Sequence, residues 1–233
     1  IAAKGHVSNV RPEQAYVTPR ALETSEIPGV VEAYRKAAMN AQMAGFDGVE
    51  IHGANGYLLD QFLQDSTNKR TDDYGGPVQN RARLLLEVTD AVLSVWDAGL
   101  VGMHLAPRMD AHDVGDSDRL GTFSYVAREL GARKIAFICA REHKAADWIG
   151  PQLKQIFGGV YIANEGFSQA SAQATLNAGE ADAVAWGKLY IANPDLAERF
   201  AKGAPLNEPN PKTFYAVGPQ GYTDYPALRA VAA

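Results

Sequence analysis

The sequence predicts an α/β protein built on a parallel sheet, and three observations carry that prediction. Short apolar runs alternate with stretches whose apolar residues recur at helical spacing. The helical stretches are long enough to serve as crossovers between parallel strands. Glycine and polar residues gather just after the apolar runs, at strand carboxyl ends, where such proteins build their sites. A (β/α)8 barrel is the natural candidate, yet counting along the chain gives only five strands.

Residues 1–26 show no sustained periodicity and carry Gly5, Pro12 and Pro19. They read as a mostly irregular loop, with a short hairpin expected around residues 15–18. Ser25 is expected to cap a helix with Pro28 in its first turn. Val30, Val31, Tyr34, Ala37, Ala38 and Ala41 form its apolar face, and Gly45 ends it. A strand over 48–52 follows, then an apolar helical run to Leu63. A helix is expected from Asn80 to Trp96, a strand over 101–106, and a polar loop over 110–120. A helix over 122–130 leads to a strand over 135–139. Further on come a helix over 149–157, a strand over 160–163, a helix over 168–178 stopped by Gly179, a strand over 181–186, and a helix over 194–202. We expect one domain spanning 1–233.

Composition narrows the function. Of 233 residues, 46% are hydrophobic and 21% charged, which suits one sizeable core. The net charge of −5 comes without a Lys/Arg cluster, so nucleic acid and anionic membranes are not expected partners. No apolar run approaches the roughly 20 residues that span a bilayer, and the start has no signal-peptide pattern. The single cysteine, Cys139, sits in an apolar run and is expected to be a buried strand thiol. It rules out an internal disulfide and fits a cytoplasmic location.

The first constellation lies in His52-Gly-Ala-Asn55-Gly-Tyr57. A strand end delivers an imidazole, a carboxamide and a phenol within six residues. His52 and Asn55 can both aim an N–H at one acceptor, such as a carbonyl or nitro oxygen. A phenol such as Tyr57 is a weak acid that can hand a proton to carbon where negative charge has built up. The bland alternative is a structural histidine, a turn asparagine and a rim tyrosine.

The second constellation follows the last two strands. Asn164-Glu-Gly166 and Gly187-Lys188 stand where barrels commonly hold a phosphate. Gly166 and Gly187 permit close backbone approach, helix amides favour an anion, and Lys188 adds charge. Two ordinary turns and a surface lysine are the alternative.

The run His52-Gly-Ala-Asn-Gly-Tyr-Leu-Leu-Asp-Gln-Phe-Leu63 is followed by Asn68-Lys-Arg-Thr-Asp-Asp-Tyr-Gly-Gly76 and Asn80-Arg81. Together with Glu165-Gly-Phe167, Ile191-Ala-Asn-Pro-Asp-Leu196 and Gly221-Tyr-Thr-Asp-Tyr-Pro226, it resembles the Old Yellow Enzyme family of FMN-dependent ene-reductases. Within that family it is most similar to the bacterial N-ethylmaleimide and glycerol trinitrate reductases. The resemblance covers nearly the whole chain. It implies a TIM barrel of which the chain carries the last five of eight strands, beginning in the connection after the third.

It also implies FMN as cofactor and NAD(P)H as reductant. Small-molecule substrates with activated C=C bonds are implied (enones, enals, maleimides, nitroalkenes), as well as nitrate esters. His52 and Asn55 would hold the substrate oxygen and Tyr57 would supply the proton. Asn164, Gly166, Gly187 and Lys188 would bind the flavin phosphate. Tyr215, beside Phe214, would close over the flavin. The family more often has arginine in place of Lys188, so the charge stays but the bidentate fork is lost. Many members also place an arginine where His104 stands, beside the flavin pyrimidine. His104 supplies charge there only when protonated, and Arg108 is expected to contribute part of it.

Two rivals remain open at this point. One is a metal-dependent barrel hydrolase using His52, His104 and His112, although no HxH pair or carboxylate cluster supports it. No metal site is therefore expected. The other is a non-catalytic fragment whose open sheet edges invite self-association.

Overall fold

The computed structural model describes residues 14–108 and 113–228. Five strands form one sheet in sequential order: β1 (Val49–Gly53), β2 (Val101–Leu105), β3 (Phe137–Arg141), β4 (Val160–Asn164) and β5 (Ala183–Ala185). Every adjacent pair is parallel. Among the described residues β1 and β5 are the terminal strands and the sheet is an open arc.

Register sorts the residues onto two faces. Ile51, Met103, Ile138 and Tyr161 share one row, and Gly53, Leu105, Ala140, Ala163 and Val184 share another. Nearly all of these are buried, so this face packs against the helices. The opposite face carries the row His52, His104, Cys139, Ile162 and Ala183. Beyond it, at the carboxyl ends, stand Arg141, Asn164 and Ala185. The concave face of a barrel lies there, and the alternation is the ordinary period of two along a strand.

Helices cover the outer face. α1 (Ile27–Met43) packs on α4 (Arg83–Leu93) through Ile27, Ala38, Leu84 and Val88, and Trp96 donates from Nε1 to the Ala38 carbonyl at 2.9 Å. α2 (Leu58–Leu63) packs on β1 and α4, and α3 (Val78–Arg81) packs on α2 and α4. α5 (Arg119–Ala132) packs on α6 (Gly150–Phe157). α7 (Gln169–Asn177) follows β4, and α8 (Lys188–Ala192) and α9 (Leu196–Lys202) follow β5. None of the described helices is long and apolar enough to cross a membrane.

Several boundaries differ from the sequence expectation. The first cap is Glu23 rather than Ser25, because Glu23 and Glu26 form a capping box around a 3-10 turn before α1. No hairpin forms around 15–18; Ala15 makes one isolated bridge. The helix expected over 80–96 is divided at Ala82. α5 starts three residues early because Asp118 accepts the Gly121 N–H at 3.0 Å. β3 lies two residues later than its apolar run. Ile135 is buried ahead of the strand, and charged Arg141 is kept inside it by register pairing with Asn164 and an ion pair to Glu165.

The motif over 68–81 is structural. Asn68 donates from Nδ2 to the carbonyls of Phe62 and Tyr74, at 2.5 and 2.7 Å. Arg70 pairs with Asp72 and reaches the Leu22 carbonyl at 2.6 Å. Arg81 donates to the carbonyls of Leu63 and Gly76, each at 2.8 Å, and pairs with buried Asp116 at 3.0 Å. Three side chains thus satisfy backbone acceptors that a buried loop would otherwise leave without partners.

Candidate active site

The loop after β1 turns sharply, with Asn55 at φ +59° and Gly56 at φ +73°. Asparagine tolerates this left-handed conformation better than most side chains. Tyr57 is then the N-cap of α2 and stands 63% exposed. The turn is held from beneath by Asp60, a fully buried carboxylate. Asp60 accepts the Gly56 N–H at 2.8 Å and Gln64 Nε2 at 2.7 Å. Burial pushes its pKa up to about 6, the two hydrogen bonds opposing the shift.

His52 stands centrally. Its ring centroid is 5.4 Å from that of Tyr57 and 5.4 Å from that of His104. Partial burial lowers the pKa of His52. His104 is more deeply enclosed, and its pKa falls to about 4, first through burial and then through the fields of His52 and Arg141. His104 is therefore neutral at neutral pH. Its Nε2 is buried and has no hydrogen-bond partner among the described residues.

Arg141 completes the group. Its Nη1 lies 3.4 Å from the Asn55 Oδ1, and its Nε donates to the Glu165 carboxylate at 2.8 Å. Sequence reasoning missed Arg141 because it ended the strand at Cys139; an arginine two residues past an apolar run reads as loop. Asp60 was overlooked for a different reason, since a helical carboxylate normally faces water. The expected contribution of Arg108 is corrected: its guanidinium is drawn to Asp147 at 2.6 Å, with Glu142 at 3.9 Å. The cation acting on His104 is Arg141 instead.

The second group sits at the ends of β4 and β5. Asn164 donates from Nδ2 to the Ala185 carbonyl at 2.8 Å, so its amide staples the two strands. Gly166 has φ +75°, and Gly187 is the N-cap of α8. A Cβ on Gly187 would meet nothing within 4 Å, and one on Gly166 only the Cβ of His143 at 3.7 Å. Lys188 is exposed at the start of α8. Tyr215 is 68% exposed, and among the described residues no ring contact or hydrogen bond joins it to the His52 group. Cys139 is buried beside His104 in register, and burial raises its pKa to about 12. His112 lies outside the described residues. Among those described, no cluster of three His, Cys, Asp or Glu is placed to hold a metal ion.

A parallel sheet whose carboxyl edge gathers neutral imidazoles, an amide, a phenol and two open glycine turns defines a cofactor-binding (β/α)-barrel type of site. Residues 3–207 match the profile of the NADH:flavin oxidoreductase / NADH oxidase family, and the chain belongs to that family. It is 45% identical to 12-oxophytodienoate reductase 1 of Oryza sativa subsp. japonica over 228 residues, covering 93% of this chain and 60% of that protein. It is 42% identical to a probable flavin mononucleotide-dependent alkene reductase of Leishmania infantum, over 92% of this chain and 60% of the relative. The structure of morphinone reductase in complex with tetrahydroNAD superposes with a TM-score of 0.93 at 44% identity, over 100% of this chain and 66% of that one. The old yellow enzyme homologue from Zymomonas mobilis does so with a TM-score of 0.93 at 39% identity, covering 97% and 66%. The chain thus spans about 60% of the length of the curated relatives it matches, and its sheet is part of a TIM barrel.

The residues present fit the family's flavin. The partnerless Nε2 of His104 faces the concave side of the sheet and offers one hydrogen-bonding atom to a ring system. The space over Gly166 and Gly187 admits a group that a side chain would exclude.

Proposed function

We propose that the protein is an FMN-dependent NAD(P)H oxidoreductase that reduces activated C=C bonds. The observation that carries this is His52 standing between Tyr57 and His104, whose Nε2 has no partner, with Asn55 in the same turn. When bound, FMN would supply the hydride-transfer chemistry between NAD(P)H and the β-carbon of the alkene. His52 and Asn55 hold the substrate's carbonyl or nitro oxygen with two N–H groups. Their hydrogen bonds strengthen as charge grows on that oxygen, which lowers the barrier. Tyr57 O–H gives its proton to the α-carbon. His104 would meet the flavin through its partnerless Nε2, as a neutral imidazole. Gly166, Gly187 and Lys188 hold the phosphate, and Asn164 holds the β4–β5 edge beneath it. Tyr215 is assigned to the mouth of the flavin site. Enones, enals, maleimides, nitroalkenes and nitrate esters are the substrate class. The single buried thiol suits a reducing cytoplasm.

The test is direct. Purified protein is titrated with FMN, and NAD(P)H oxidation is followed with N-ethylmaleimide and cyclohexenone. Turnover of either alkene with retained flavin supports the reading. Flavin retention with no alkene reduction, or no flavin binding by the protein with its whole barrel, would overturn it.

A further inference from the structure

The turns after β1, β3 and β4 meet at one side chain. Arg141 ends β3 and is in register with Asn164 on β4. Its Nε edge is held by Glu165 at 2.8 Å, and its Nη1 is turned to Asn55 Oδ1 at 3.4 Å. Both partners have left-handed backbones, Asn55 at φ +59° and Glu165 at φ +90°. Such conformations cost free energy in non-glycine residues and persist only where the surroundings hold them. Here the surroundings include the Arg141 guanidinium that both side chains meet.

The chemistry of the contact fixes an orientation. A carboxamide has an accepting end and a donating end, whereas guanidinium only donates. A flipped Asn55 would set its NH2 against the N–H of Arg141. With Oδ1 toward Arg141, Nδ2 must face another acceptor. We propose that Arg141 is a positioning residue of the substrate-oxygen site: anchored on Glu165, it holds Asn55 with Nδ2 turned to the substrate and sets a fixed cation beside His104. This rests on the oxidoreductase reading above for the identity of the ligand, but not for the geometry. Among the charged and titratable groups near Arg141 are Glu165, its ion-pair partner, and His104, which feels its charge. Glu165 sits on the Nε edge, away from the Nη1 directed at Asn55. The lowered pKa of His104, to which Arg141 contributes, agrees with a positive field on that side.

The experiment, done in the protein with its whole barrel, compares Arg141→Met, Arg141→Lys and Glu165→Gln with the parent. The His104 pKa is read by NMR titration without flavin, and kcat/KM for cyclohexenone with it. In Arg141→Met the His104 pKa should rise, since a neighbouring cation is gone. Its kcat/KM should fall about tenfold or more, as expected when a substrate-holding donor loses its orientation. Arg141→Lys keeps the charge but not the fork; it should return the His104 pKa to the parental value and only part of kcat/KM. Glu165→Gln removes an anion and should move the His104 pKa further down while still lowering kcat/KM. These opposite shifts separate a field effect from loosening of the fold, and Glu165→Gln keeps the test usable if Arg141→Met does not fold. An unmoved His104 pKa and unchanged kcat/KM in a folded Arg141→Met protein would overturn the proposal. Failure of the parent to bind FMN or reduce alkenes would instead strike the oxidoreductase reading, and the flavin-free titrations would still decide whether Arg141 acts on His104.

Discussion

Asp60→Asn should stabilise the protein at neutral pH although it removes a charge that accepts two hydrogen bonds. The Asp60 carboxylate is fully buried, and its pKa stands at about 6 against an ordinary 3.8. The sign follows from proton counts. Between those two values the unfolded chain has lost the proton and the folded chain has kept it, so stability falls as pH rises through the window. A gap of a little over two units corresponds to about 3 kcal/mol, all of it lost above the folded pKa.

The neighbouring amide makes the substitution tolerable. Gln64 Oε1 is buried without a partner while its Nε2 donates to Asp60. With asparagine at 60 and the Gln64 amide flipped, the new Oδ1 can accept the Gly56 N–H and the new NH2 can donate to Gln64. No buried charge is then left, at the cost of the weak 3.4 Å hydrogen bond from Gln64 to the Ala106 carbonyl. Urea unfolding of parent and variant between pH 4 and 8 gives the difference curve. That difference isolates Asp60 from His104 and Glu142, whose pKa values of about 4 and about 7 place their windows across the same range. The expected difference grows by up to about 3 kcal/mol from pH 4 to 7 in favour of Asp60→Asn. A flat curve, or an asparagine variant less stable than its parent at pH 7, would refute the reasoning. Asp60→Ala should behave oppositely, costing about 1–3 kcal/mol for the orphaned Gly56 and Gln64 donors.

The double change His52→Ala with Asn55→Ala should slow alkene reduction on the order of 10²–10³-fold, with flavin content little altered; equal rates for cyclohexenone would remove these residues from the oxygen site. Tyr57→Phe keeps the ring and deletes the acid, so stopped-flow measurement should find enone reduction strongly slowed and reduction of the flavin by NAD(P)H nearly unchanged. Nitroalkenes, whose anionic product can be protonated in water, should suffer least. The 233-residue chain expressed alone should bind FMN weakly and self-associate, because β1 and β5 each pair on one side only within the described sheet and leave backbone groups open. Gel filtration with excess FMN checks this, and a monomer carrying stoichiometric flavin would refute it.

The order of the five strands was legible in the sequence, and so was the gathering of His52, Asn55 and Tyr57 at one strand end. Alternating apolar periodicity and glycine turns are local signals, and parallel crossovers leave few topologies once the alternation is known. The buried thiol at Cys139 was legible for the same reason. What only the tertiary structure decided depends on residues far apart in sequence. Arg141 meets Asn55 and Glu165, 86 and 24 positions away. Arg108 pairs with Asp147, 39 positions away. The neutrality of His104 and the raised pKa of Asp60 are effects of burial, and burial is set by the packing of the whole chain rather than by any stretch of it.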